Sequence, residues 1–443
     1  MNKTATLLKF LIPSLIGVFM FLFPMTDAEG NTTIPVAYLA GLLLDMLGHE
    51  TILIIIMVII ALSAALTAIF SWVTRPESKL LADLFSVTPI WVIIRLLGAV
   101  FVVMTYFAAG PEIIISEVTG GMIFNDLMPT LLSVFLFAGI LLPLLLNYGL
   151  LEFIGSLFTR IMRPLFTLPG RSTVDNLASW VGDGTIGVLL SSKQYEDGYY
   201  TKREATVIAT TFSVVSITFT VVILDLIGLM DYFGAFYLTI LIAGLAAALI
   251  MPRIPPLSGI DDTYYREDRK LNEAVPEGYN PATWGYRQAM NRARKAAGFG
   301  DYLKDALKTV GDMWFAVLPI VMAIGTLGTI VAEYTPVFTW IGAPFVPLLE
   351  LMGLEEAQAA SETLFIGFTD MFLPAILIEG VASDMTRFVI GALSITQLIY
   401  LSEVGGVILG SKIPVGLGRL FIIFLLRTAI TLPIIVVMAH IIF

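Results

Sequence analysis

A chain of 443 residues that is 57% hydrophobic and only 14% charged reads as a polytopic membrane protein, because soluble proteins carry roughly a quarter charged residues. It has no cysteine and two distant histidines, His49 and His440, which excludes disulfides, iron–sulfur clusters and cysteine-type zinc sites and argues against histidine-based metal or triad chemistry. A net charge of −10 argues against nucleic acid as a partner.

Lysine and arginine stay on the cytoplasmic side of short membrane loops, and here they set a topology. Residues 10–74, 96–159, 204–252 and 309–386 contain neither. The apolar run Leu7–Phe23 has no small-x-small cleavage site after it and is expected to be helix 1 (about 8–24), leaving a cytoplasmic N-terminus. The acidic stretch 25–50 lies outside, with a short interfacial helix near Leu42–Leu47. Helix 2 (about 51–73) returns to Arg75 and Lys79, helix 3 (about 88–109) goes out, and helix 4 (about 128–148) comes back. Over 150–165 one face carries Leu150, Ile154, Leu157, Ile161 and Leu165 and the other Glu152, Ser156, Arg160 and Arg163, the pattern of a helix lying in the interface.

Ser172–Ser192 is apolar but interrupted by Asp175, Asn176 and Asp183 and broken by Gly182, Gly184 and Gly187. Charges inside a bilayer cost a few kcal/mol each and face protein or water, so this stretch is expected to be a re-entrant pair of half-helices. Arg171 and Lys193 place both its ends on the cytoplasmic side. Helix 5 (about 204–228) and helix 6 (about 233–250) follow, then a polar cytoplasmic linker with a basic helix near Tyr286–Lys295. Helix 7 (about 309–332) goes out, and 336–351 repeats the interfacial helix. Ser361–Gly380 forms a second hairpin, with Glu362 near its start, Gly367, Thr369 and Asp370 in the middle and Pro374 after the break. Helix 8 (about 386–403) and helix 9 (about 417–440) close the chain.

The expected fold is therefore an all-α polytopic membrane protein with about nine transmembrane helices and two re-entrant hairpins in an inverted repeat, since helix 4 runs inward and helix 7 outward. The expected divisions are 1–120 (scaffold helices), 121–251 (repeat 1), 252–307 (linker) and 308–443 (repeat 2).

The stretch GLLEFIGSLFTRIMRPLFTLPGRSTVDNLASWVGDGTIGVLLSSKQYEDGYYTKREATVIATTFSVVS resembles the nucleoside recognition or Gate domain, and the whole chain resembles the YjiH family of bacterial inner-membrane proteins that carry it. The resemblance covers roughly residues 128–443. It implies kinship with concentrative nucleoside transporters, with inverted repeats, two hairpins and an elevator-like transport domain. The Gate domain also occurs in ferrous-iron transporters and spore-maturation proteins. No GxxxxGK[ST] loop of the kind an iron transporter's GTPase domain needs is present.

Half-helix N-termini attract anionic groups, while exposed carbonyls and side-chain oxygens suit a small hard cation. On that basis Asn176, Ser179, Asp183, Thr185, Glu362, Thr363, Thr369, Asp370 and Gln397 are candidate substrate ligands. Asn176, Gly182, Asp183, Thr211, Ser213 and Glu403 are candidates for ion coupling. Thr210, Ser216, Ser394, Thr396 and Ser402 are further hydroxyls on helices 5 and 8, set against the reading that such groups bond back to their own helix. Asp175 is expected nearer the surface. Arg427, the one basic residue deep in a predicted span, is expected to make a structural ion pair with a hairpin carboxylate, with a substrate carboxylate as the sharper alternative. The expected function is a sodium- or proton-coupled transporter of a small polar solute, nucleoside-like or amino-acid-like. The alternative is a non-transporting scaffold. No enzyme chemistry and no cofactor beyond Na+ is expected, and the partners are solute, lipid bilayer and either a second copy or a second Gate-domain subunit.

Overall fold

The computed structural model describes residues 3–443 apart from 24, 27–31, 75, 77, 182–183, 213–219, 221–222, 225, 267–274, 277 and 297. Apart from a two-residue antiparallel pairing of Met25–Thr26 with Thr32–Thr33, the regular structure is helical. In chain order the first helices are α1 (Lys3–Leu22), α2 (Pro35–Leu47), α3 (His49–Ala68), α4 (Lys79–Phe85) and α5 (Pro89–Tyr106). Then come α6 (Met128–Leu146), α7 (Leu150–Phe166), α8 (Ser172–Val181), α9 (Gly184–Glu196), α10 (Lys202–Val207) and α11 (Phe233–Ile250). The second half holds α12 (Pro281–Lys295), α13 (Phe299–Asp312), α14 (Leu318–Tyr334), α15 (Val337–Gly342) and α16 (Val346–Leu351). It ends with α17 (Ala357–Ile366), α18 (Leu373–Ile378), α19 (Asp384–Gln397), α20 (Val404–Gly410) and α21 (Leu417–Ile442).

Seven helices among the described residues are long and apolar enough to cross a membrane: Lys3–Phe21, His49–Val73, Pro89–Tyr106, Glu112–Leu146, Met230–Arg253, Phe299–Tyr334 and Leu417–Ile442. Helices 5 and 8 of the expected nine are absent from that set for different reasons. Helix 5 runs into residues 213–219, outside the described ones, and helix 8 is broken after Gln397. The expected helix 7 begins about ten residues earlier than its apolar run, at Phe299, because α13 carries apolar residues on one face only.

Two prolines shape corresponding helices. Pro129 and Pro319 each follow a π-helical turn, Ile123–Leu127 and Met313–Val317. A proline has no N–H and its ring collides with the carbonyl four residues back, here residues 125 and 315 inside those turns. After each proline the elements recur in a similar order: a long helix, one or two further helices (α7, or α15 and α16), a helical hairpin, a side-chain-capped helix and, after α20 in the second case, a final long helix. The capped helices start alike. Thr201 Oγ1 accepts from Glu204 N (3.2 Å) while Glu204 Oε2 accepts from Thr201 N (2.9 Å), and Ser383 Oγ accepts from Thr386 N (3.3 Å).

The packing follows small residues. Pro319 O lies 2.2 Å from where a Cβ on Gly98 would stand, so α5 and α14 touch backbone to backbone. α3 packs on the other side of α5, α6 packs against α1, α2 and α13, and α7 against α12. α21 lies between α11 and α19. On α7 Ile161 and Leu165 remain about half exposed, as an interfacial helix requires.

Candidate functional site

Hairpin 1 is α8 packed on α9. Gly182 and Asp183, between the two helices in sequence, lie outside the described residues, as does Ser213. Asp175 is fully buried, contrary to the expectation of a near-surface carboxylate. It is held by Ser191 Oγ (3.1 Å) and Tyr200 OH (2.9 Å) on one oxygen and Gln194 Nε2 (2.5 Å) on the other. Arg171 Nε donates to Gln194 Oε1 (2.6 Å), and its guanidinium stacks 3.8 Å from the Tyr199 ring centroid. This network clasps the start of α8 to the end of α9. Its saturated carboxylate marks a structural role, since a buried carboxylate is tolerated when donors satisfy its lone pairs. The next residue behaves differently. Asn176 is buried, yet neither Oδ1 nor Nδ2 has a hydrogen-bond partner among the described residues. An amide left so costs roughly 1–3 kcal/mol per group, which leaves it both a donor and an acceptor for a ligand. Ser179 and Thr185 are buried on the same hairpin.

Hairpin 2 turns at residues 367–372 between α17 and α18. The expected continuous helix 8 is corrected here. α19 stops at Gln397, Leu398 takes φ 63°, and the helix resumes as α20 at Val404. The two irregular segments bond to each other. Leu401 N donates to Phe368 O and Ser402 N to Thr369 O, both at 2.9 Å, and Ser402 Oγ donates to Asp370 Oδ2 (2.8 Å). Asp370 Oδ1 also accepts from Phe372 N (2.8 Å). Tyr400 OH lies 2.8 Å from Ser394 O and 2.9 Å from Ile395 O and accepts from Leu398 N at 3.2 Å, serving α19's last carbonyls. Several backbone groups freed by the breaks therefore meet the other break or a nearby side chain.

Gln397 sits at this break, not in mid-helix. Its Nε2 donates to Leu364 O (2.8 Å) and Thr428 Oγ1 (2.9 Å), while its buried Oε1 has no partner. Glycine at 367 leaves room for that oxygen: a Cβ there would stand 2.1 Å from it and force the Gln397 amide to shift. Arg427 is fully buried, but its ion pair with a hairpin carboxylate is not found among the described residues. Its guanidinium donates instead to Thr396 O at the end of α19 and to Thr211 O (2.6 Å) and Thr210 O (3.5 Å) in the π-turn Ile208–Phe212. The reason is geometric. A helix end exposes carbonyls with negative partial charge, and a guanidinium fork can serve several at once. Arg427 thus ties the broken helix of the second half to the helix of the first half that packs on hairpin 1.

Several candidate hydroxyls donate to their own helices: Thr211 Oγ1 to Val207 O (2.5 Å), Thr210 Oγ1 to Thr206 O (2.7 Å), Thr363 Oγ1 to Ala360 O (2.7 Å) and Thr369 Oγ1 to Ile366 O (2.8 Å). Ser394 and Thr396 do the same. Glu362 is half-buried on α17, and Glu403 is half-buried at the start of α20. Four contributors went unread in the sequence: Tyr200, Gln194, Tyr400 and Thr428. The available signal was a Gln or Tyr within or just after an apolar run, where each needs a polar partner.

Residues 128–230 match a known protein family, Gate, described as nucleoside recognition. An uncharacterized protein of Alkalihalophilus pseudofirmus is 48% identical over 445 residues, covering 99% of this chain and 96% of the relative. With similarity that high across nearly the whole of both chains, this protein belongs to the same family as that Alkalihalophilus pseudofirmus protein, a family whose member here carries a nucleoside recognition (Gate) match over 128–230.

Proposed function

We propose that this protein is a secondary active transporter of a small polar organic solute, nucleoside-like or amino-acid-like, coupled to sodium or protons. The observation that carries the reading is the contact between two buried irregular segments, 367–372 and 398–403, joined through Leu401, Ser402 and Asp370. Non-helical backbone at membrane depth is tolerated where protein or a water-filled cavity surrounds it, and transporters place solute and ion sites there. The oxygens at such a break, with Asp370 and Thr369, suit a hard cation such as Na+. Asn176, Asp183 and Gln397 would face the solute with Thr185 and Ser179, and Glu403 would carry a proton in the proton-coupled version.

In this reading the recurring order of elements is an inverted repeat, 121–251 against 308–443, with 1–120 as scaffold and 252–307 as a linker. The hairpins are re-entrant and move together in an elevator-type exchange of access. The protein sits in a bacterial inner membrane with its N-terminus in the cytoplasm, as the basic residues and the resemblance to YjiH proteins suggest.

A second reading is a non-transporting scaffold with the same fold. It draws on Arg427 and the hydroxyls of Thr210, Thr211, Thr363 and Thr369, which donate to backbone carbonyls. Uptake of labelled nucleosides and amino acids into proteoliposomes, under an imposed sodium or proton gradient, separates the two. Transport predicts gradient-dependent accumulation of at least one solute that falls at least tenfold in Asp370→Asn. Accumulation equal to protein-free vesicles for every solute supports the scaffold.

A further inference from the structure

A polar cavity of about 270 Å³ opens among the ends of α6 and α9 and the faces of α12 and α13. Four basic side chains, Lys193, Arg266, Arg292 and Lys308, line it against two acidic ones, Asp197 and Asp305. Arg292 donates Nη2 to Asn147 Oδ1 (3.1 Å) and turns its Nε to Glu152 Oε1 (4.0 Å), while Lys193 pairs with Asp197 (3.8 Å). With four basic side chains against two acidic ones the lining still carries excess positive charge, the chemistry of a phosphate site.

On the other side of α13 lies an apolar groove of about 630 Å³, walled by Leu66, Leu84, Leu303 and Leu307. Lys308 lines both spaces. The α13 face beside the groove exposes Phe299, Leu303 and Leu307, at 78%, 44% and 61%. The polar cavity includes Leu146 and Asn147, the last residue of the Glu112–Leu146 apolar span and the one after it.

We propose that the two spaces form one site for an anionic phospholipid, with its headgroup phosphate between Arg292, Lys193 and Lys308 and an acyl chain in the groove. A soluble anion would use the polar cavity alone and leave the groove unexplained. Lys193 stands on the last turn of α9, so the headgroup pins the outgoing arm of hairpin 1 to α6 and α13. The lipid is then a regulator of the hairpin, independent of what solute the protein carries.

The test compares melting temperatures of the full chain in nanodiscs of phosphatidylcholine alone and with added phosphatidylglycerol. The wild type should gain several degrees from phosphatidylglycerol. Lys308→Gln combined with Arg292→Gln should lose most of that gain, Lys308→Arg should keep it, and Arg160→Gln, exposed on α7 outside the cavity, should keep it. If the double variant does not fold, Lys308→Gln alone and native mass spectrometry of lipid retained by the wild type carry the test. No gain in the wild type, an equal loss in Arg160→Gln, or the same gain from inorganic phosphate in pure phosphatidylcholine would each overturn the proposal.

Discussion

Asp175 and Asn176 are neighbours in sequence with opposite states. The Asp175 carboxylate has three donors, from Ser191, Gln194 and Tyr200, and the Asn176 amide has none. Asp175→Asn would turn an amide N–H₂ towards groups that now donate, so we expect it to cost about 1–3 kcal/mol of stability, read as a lower melting temperature without any solute present. Asn176→Ala should not lower the melting temperature, because it loses no bond among the described residues and removes a buried unsatisfied amide, and it should abolish any solute-induced stabilisation. Gly367→Ala drives a methyl into Gln397 Oε1, whose amide is anchored through Nε2, and overpacking of this kind costs about 1–3 kcal/mol. In a double-mutant cycle, Gln397→Ala should relieve much of that loss; strict additivity would show that the two residues do not meet. Asp370 and Thr369 were legible as polar residues at an interrupted apolar run, whereas Ser402, which the structure joins to them, reads as part of a continuous helix. Arg427's partners were not legible, because backbone carbonyls leave no mark in the side-chain sequence.

The break between α19 and α20 lies within a run that reads as one helix, since 386–403 contains no proline and only one glycine, Gly391. What stops α19 is tertiary: Phe368 and Thr369 offer carbonyls to Leu401 and Ser402, and Tyr400 OH serves the helix end. Tyr400→Phe should therefore loosen this segment specifically, seen as faster amide exchange at residues 398–403 with little change in α21. Uniformly unchanged exchange would deny Tyr400 this role. The π-turns before Pro129 and Pro319 were, by contrast, written locally in the prolines. At the end of α9, burial pushes the Glu196 carboxyl up from 4.5 to about 7, opposed by Lys193 and Lys412 and reinforced by Asp312 and Asp197. The folded state thus holds this proton more tightly than the unfolded chain does. The contribution is fully present below about 4.5 and is lost as pH rises through about 7. Melting measured across that window should fall with pH more steeply in the wild type than in Glu196→Gln, and identical slopes would contradict the assignment.

Across the whole molecule, seven long apolar helices were legible because apolar length is a local signal. The joins between the halves were not, since they run through Arg427 and the π-turn at Ile208–Phe212, which only tertiary contact reveals. The central claim is that the meeting of hairpin 2 with the broken helix makes a site for a solute and an ion. The most direct measurement is a thermal-shift screen of the purified protein with nucleosides, nucleobases and amino acids, each in sodium and in potassium chloride. A ligand that binds only the folded state raises the melting temperature with the logarithm of its concentration over Kd. The account predicts at least one solute that stabilises the wild type, with an effect lost in both Asp370→Asn and Asn176→Ala. Stabilisation that survives both substitutions, or none from any solute in either salt, would contradict it.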